Sequence, residues 1–253
     1  MILRYLLLTA VRDRLLGAML AGLGVIWLVA GFAGGTSIVE GPQTAAAFAA
    51  FAARLLVVAG MVVFVALHVR RLLDSRELHL LLSRPVARPR FVISYWASFA
   101  AVALGLSLAA GAAVWGTGPG TLAPAGVAAF TGTLALEAGL MTAFALFVAL
   151  GLDSAIAAIL VATGFYVLAR MLGLLLAISR AELGPGGAFG GWMAGTVEVL
   201  ATVLPRLDLF AVGAWPVHGV DGAPGLALAT LQGVLYTLLL LAASVFDFNR
   251  RQV

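Results

Sequence analysis

The sequence predicts an all-α membrane protein whose chain crosses the bilayer six times. Of its 253 residues, 63% are hydrophobic and 10% are charged, whereas an ordinary soluble domain has roughly 45–50% and about 25%. The apolar residues are gathered into six runs that are long enough to cross the roughly 30 Å of hydrocarbon in a bilayer. This composition excludes a soluble enzyme, a disordered regulator and a nucleic-acid-binding module.

Each apolar run is expected to be a helix, because lipid offers unpaired backbone groups no hydrogen-bond partner. The spans are predicted at 15–32, 45–68, 91–114, 124–150, 154–178 and 226–246. Residues 1–14 are predicted to form an amphipathic helix on the membrane surface, with apolar residues at helical spacing and a charged end. A plain extension of the first span is the alternative interpretation of that segment.

Arginine placement predicts the orientation of the spans. All 15 basic residues are arginines, and with six spans eleven of them fall on one side. These eleven are at positions 4, 12, 14, 70, 71, 76, 84, 88, 90, 250 and 251. The positive-inside bias makes that side cytoplasmic, so both termini are expected to be cytoplasmic.

The stretch 180–225 is predicted to be an external loop that holds one further apolar helix. Glycine and proline interrupt it at several points, and between them lies the apolar segment 188–204, which contains Glu198. A seventh span here would place Arg250 and Arg251 outside the cell. A re-entrant or interfacial helix keeps all the basic segments on one side and is therefore the expected structure.

The passage 69–90 connects the second and third spans outside the membrane. A short helix is predicted in it, beginning at Asp74 with a capping-box pattern and ending before Pro85. The apolar stripe of this helix consists of Leu78, Leu81 and Leu82. An apolar stripe outside the membrane needs a protein or membrane partner. A basic loop that only sets topology and contacts lipid headgroups is the alternative.

The same passage reads RELHLLLSRPVAR and leads through an aromatic residue into the third span. It resembles the loop between spans two and three of ABC-2-type transporter permeases, most closely the branch that includes copper-enzyme-maturation and nitrous-oxide-reductase accessory permeases. In that family the loop holds a coupling helix that inserts into a separate ATPase subunit. The resemblance implies that the coupling residues are Arg76, Glu77, Leu78, Leu81, Leu82, Arg84, Pro85 and Arg88.

A shorter match lies before the last span, where 204–210 reads LPRLDLF. It is similar to the proline–leucine–aromatic stretch that these permeases carry at the same place. The six spans, the N-terminal amphipathic helix and the broken segment also fit the family, so the resemblance covers the whole chain. It departs at Ile93 and Ser94, where the family commonly has Gly-Lys.

The resemblance implies a permease subunit of an ABC transporter, an exporter, in a bacterial inner membrane. The sequence has no lysine, so a GxxxxGK[ST] phosphate-binding loop is excluded. The resemblance therefore implies that ATP and Mg are bound by two copies of a partner ATPase. The permease itself would form a homodimer, or a heterodimer with a second permease. The substrate is not identified by any of these patterns.

Two other functions are considered. One is an ATPase-coupled membrane scaffold that acts on a partner protein without solute transport. The other is an intramembrane serine enzyme, which needs a serine and a histidine at one depth. The serines within the spans have no histidine at their depth, so the chain is interpreted as non-catalytic. With no cysteine and no clustered methionines, no metal site is expected.

Three charged residues fall inside the predicted spans, where each costs at least about 2.5–3.5 kcal/mol. They are Arg54 in span two, Glu137 in span four and Arg170 in span five. At about 1.5 Å per residue they lie at similar depths, so a Glu137–Arg170 pair is possible. The functional interpretation is a substrate-contacting or gating site. The structural interpretation, favoured for Arg54, is an ion pair or an arginine that reaches outward to the headgroups.

Overall fold

A computed structural model of the chain describes residues 13–37, 40–74, 88–180, 188–211, 213, 215–220 and 224–250. Six helices in this part are long and apolar enough to cross a membrane. They are α1 (Arg14–Thr36), α2 (Gly41–Asp74), α3 (Arg88–Trp115), α4 (Pro124–Gly151), α5 (Ala155–Arg180) and α8 (Pro224–Arg250). The shorter elements are α6 (Ala188–Val203), a 3₁₀ turn (Leu207–Phe210) and the one-turn helix α7 (Trp215–His218).

These elements confirm the predicted all-α fold with six spans. Asp74 is the last described residue of α2, and the short helix predicted after it lies outside the described residues. Its carboxylate binds Arg70 one turn earlier, at 2.9 Å, and this pair helps to extend α2 beyond the apolar run. The predicted amphipathic helix, up to residue 12, lies outside the described residues.

Neighbouring long helices run in opposite directions, so the bundle has two different ends. Met19 of α1 lies against Gly60 of α2, and Asp13 binds Arg71 at 3.6 Å. We call the end at which α2 and α3 are joined the basic end. Its described arginines are Arg14, Arg70, Arg71, Arg88, Arg90 and Arg250. The opposite end, where α2 and α4 begin, is covered by α7 and is called the capped end.

Helices α2 and α4 form the centre of the bundle. Each packs against the other, and α2 also contacts α1, α3 and α5, while α4 contacts α3, α5 and α8. The peripheral helices instead expose large apolar side chains, such as Phe32, Ile156 and Leu231. Apolar groups on the outside of a bundle are what a lipid environment requires.

Because the chain has no cysteine, single cysteines can test the predicted orientation directly. Ser37 follows α1 at the capped end, and Ser154 lies between α4 and α5 at the basic end. We expect a membrane-impermeant maleimide to label Ser37→Cys in intact cells and Ser154→Cys only after permeabilisation. The reverse labelling pattern would contradict the arginine-based orientation, and labelling of both sites in intact cells would contradict the six-span topology.

Candidate functional site

The segment after α5 enters the bundle and returns to the same end. Helix α6 packs on α5, and the carbonyl of Val203 at its last turn accepts a hydrogen bond from the Tyr236 hydroxyl at 2.8 Å. Tyr236 is twelve residues into α8, which places the end of α6 about 18 Å along that helix. The chain thus reaches the middle of the bundle before it turns.

The return path ends at the capped end. Beyond the 3₁₀ turn, α7 packs on the first turn of α4, where the Pro216 carbonyl accepts a hydrogen bond from the Ala123 N–H at 3.0 Å. We call the segment 188–220 the re-entrant hairpin, since both of its arms lie on the capped side of its tip. Of the two arrangements considered from the sequence, this path through the bundle is the one that a re-entrant helix would take.

The tip of the re-entrant hairpin is the 3₁₀ turn formed by the LPRLDLF segment. Leu207 and Phe210 are fully buried, and Phe210 packs against Gly233 of α8. Asp208 accepts a hydrogen bond from Arg206 at 2.8 Å and lies against Gly173 of α5. A Cβ at Gly173 would overlap the Asp208 carboxylate, so an alanine there would force the Asp208 side chain to move.

Glu137 lies at the centre of α4 and is fully buried, and it forms ion pairs with both intramembrane arginines. One carboxylate oxygen accepts from Nη1 of Arg54 on α2. The other accepts from Nη1 of Arg170 on α5 at 3.1 Å. Two guanidinium groups on one carboxylate satisfy both of its oxygens and tie three helices together. We call Arg54, Glu137 and Arg170 the charged cluster.

Arg54 does not reach outward to the headgroups. It is 3% exposed, its Nη2 donates to the Thr133 hydroxyl at 3.2 Å, and its guanidinium lies 5.0 Å from the Phe130 ring centre. Thr133 and Glu137 are one turn apart on α4, so a single helix face supplies both acceptors. The outward-reaching alternative for Arg54 is therefore wrong, and the ion-pair alternative describes it.

Arg170 connects the charged cluster to the re-entrant hairpin. Besides Glu137, its Nη1 donates to the carbonyl of Leu207 at the hairpin tip, at 3.3 Å. This contact holds the tip of the re-entrant hairpin against α5. Tyr166, one turn earlier on α5, is also buried.

A cleft lies beside the charged cluster, next to the residues that follow the 3₁₀ turn. It holds about 60 Å³, which is room for several water molecules. Its lining consists of Ala47, Ala50, Phe51, Arg54, Phe130, Arg170, Ala211 and Gly213. The polar part of this lining is thus provided by the two arginines, and the remainder is small or aromatic.

Most of the predicted coupling residues, unlike the charged cluster, are not among the described residues. Those from Arg76 to Pro85 lie outside the described residues, and Arg88 is the first residue of α3. The structure brings Arg54, Glu137 and Arg170 together at the bundle centre. Within the described ranges, no group of three or more His, Asp or Glu side chains could hold a metal ion.

Sequence reasoning missed Thr133, the Leu207 carbonyl and the cleft. The spacing of Thr133 and Glu137 on one helix face was the available signal for the first. The other two depend on the path of the re-entrant hairpin, which residue spacing does not specify. No protein-family model and no curated protein matches the chain.

Proposed function

We propose that this chain is the membrane-spanning permease subunit of an ABC transporter, an exporter, driven by a separate ATPase that docks on the loop 69–90. The observation that carries the proposal is the RELHLLLSRPVAR passage, placed between the two helices α2 and α3 that pack together in the bundle. The chain leaves α2 at Asp74 and enters α3 at Arg88, both at the basic end.

Below this loop, aromatic rings join three helices into one unit. The ring of Phe64 on α2 lies 5.8 Å from that of Phe99 on α3, and Phe91 on α3 stacks on Phe248 of α8 at 5.7 Å. His68 completes the cluster against Phe99, at 5.6 Å. Packed rings resist deformation, so a displacement of the loop would move α2, α3 and α8 together.

Helix α2 extends from this aromatic unit to the charged cluster. Phe64 and Arg54 are ten residues apart on it, about 15 Å along the helix axis. ATPase closure would therefore act on the loop, then on α2, and through Arg54 on Glu137 and Arg170. This gives the charged cluster a role as the joint between α2, α4 and α5 during a change of exposure.

The second candidate function is an ATPase-coupled scaffold, which needs no solute path through the chain. The side chains of Leu134, Leu140 and Met141 on α4 are fully buried. A solute path would accordingly lie between two copies rather than through one. Both candidates require the ATPase, and a transport assay in vesicles with the purified complex separates them.

Leu81→Asp is expected to abolish co-purification of the ATPase, because it places a charge in the apolar stripe that would insert into the partner. The matched control is His79→Asp, which introduces the same charge on the same predicted helix but outside the stripe. The measurement is affinity purification of the tagged chain from its native membranes, with mass spectrometry of co-purifying chains that carry a GxxxxGK[ST] loop. Equal recovery from the wild type and Leu81→Asp would contradict the coupling role.

A further inference from the structure

The charged cluster carries an unbalanced positive charge inside the bundle. Arg54 and Arg170 contribute two guanidinium groups, and Glu137 supplies one carboxylate. The nearby Arg206–Asp208 pair is neutral and adds no compensation. An isolated charge in a low-dielectric interior is costly unless an opposite charge approaches it. Among the described residues, this site therefore keeps one positive charge that no carboxylate balances.

Arg170 has donors to offer to such a group. Its Nη1 makes both of the hydrogen bonds described above, to Glu137 and to Leu207. Its Nη2 and Nε have no hydrogen-bond partner in the described part of the chain, and its side chain is 25% exposed. A guanidinium presents its donors as a planar fork that fits a carboxylate or a phosphate.

Through the cleft, the guanidinium of Arg170 is accessible from the outside of the bundle. Ala47, Phe51 and Arg54 lie on one face of α2, at helical spacing, and all three line the cleft. Phe51 is 61% exposed, so this wall is continuous with the apolar outer surface of the bundle. The cleft is cationic at its base and apolar along its wall.

We propose that this cleft is a binding site for a single oxyanion, a carboxylate or a phosphate, held by Arg170 and Arg54. The oxyanion supplies the negative charge that the cluster lacks and takes the place of water in the cleft. The exposed apolar wall suits an oxyanion carried by a lipid, whose chain would lie along Ala47 and Phe51. The inference does not depend on the ABC assignment, because it concerns this chain alone.

The test is native mass spectrometry of the purified full-length chain in detergent. The probes are phosphatidylglycerol and phosphatidylcholine with the same acyl chains, with oleate and inorganic phosphate as competitors. Arg170→Gln is expected to weaken phosphatidylglycerol binding about tenfold or more, the effect of losing a charged hydrogen-bond donor. Ala47→Phe is expected to do the same by filling the cleft while leaving the charged cluster intact, so the test holds even if Arg170→Gln does not fold.

Two variants control for charge and size. Arg71→Gln removes a positive charge at the basic end, and Ala101→Phe adds the same ring at an exposed site on α3. Both should bind phosphatidylglycerol as the wild type does. Displacement by oleate but not by inorganic phosphate supports the site with a lipid-borne oxyanion, and equal displacement by inorganic phosphate supports it with a soluble one. The proposal is overturned if the chain binds phosphatidylglycerol and phosphatidylcholine equally well. It is also overturned if phosphatidylglycerol binding is unchanged in Arg170→Gln and Ala47→Phe.

Discussion

Replacing Glu137 with glutamine is expected to lower the free energy of unfolding by about 3–5 kcal/mol, the usual cost of removing one partner of a buried ion pair. The carboxylate is fully buried between Arg54 and Arg170. A neutral amide of nearly the same shape leaves two guanidinium groups without a counter-charge. Reversible unfolding in mixed micelles, followed by the fluorescence of the five tryptophans, measures the change.

The control for this substitution is Glu40→Gln, the same chemical change at an exposed position just before α2 at the capped end. The charge of Glu40 lies near the N-terminus of α2, so its loss should change stability by no more than about 1 kcal/mol. Arg170→Gln should cost less than Glu137→Gln, because Arg54 and Glu137 still neutralise each other. Equal stability of Glu137→Gln and Glu40→Gln would show that the charged cluster does not hold α2, α4 and α5 together.

Gly126→Ala is expected to have the next largest effect, a loss of about 1–3 kcal/mol from overpacking. Gly126 lies in the first turn of α4, where a Cβ would overlap the carbonyl oxygen of Trp215 in α7. That oxygen belongs to the backbone and cannot rotate away as a side chain could, so α7 itself must move. The Ala123–Pro216 hydrogen bond beside it would lengthen or break.

Gly132→Ala is the matched control on the same helix. No atom lies within 4 Å of a Cβ added there, so the substitution should stabilise α4 by up to about 1 kcal/mol through helix propensity. Thermal unfolding of both variants in one detergent gives the comparison. If Gly126→Ala proved as stable as Gly132→Ala, α7 would not be seated on α4 as described.

The long helices were predictable because each span must satisfy its own backbone hydrogen bonds within lipid. The length of an apolar run then sets the length of a helix, and predicted and observed bounds of α4 nearly coincide. The basic end was predictable for a related reason, since a charge inside a span is costly and eleven of the 15 arginines fall at that end.

The charged cluster was only partly predictable. Counting residues placed Glu137 and Arg170 at one depth, but depth does not say which helices are neighbours. Arg54 joins them because α2 and α4 pack at the bundle centre. The path of the re-entrant hairpin could not be predicted from the sequence, because an interfacial helix and a re-entrant helix have the same apolar pattern. Leu207 lies in the LPRLDLF match, but nothing in the sequence indicated its contact with Arg170.

The central claim is that the loop 69–90 docks on an ATPase, and cross-linking measures that contact most directly. A single cysteine at Leu81, in a chain that has no other cysteine, can carry a photo-activated cross-linker in native membranes. The proposal predicts a cross-linked product that contains a chain with a GxxxxGK[ST] loop, and no such product from Ser37→Cys at the capped end. Cross-links from Leu81→Cys to lipid alone, or the same ATPase product from both positions, would contradict it.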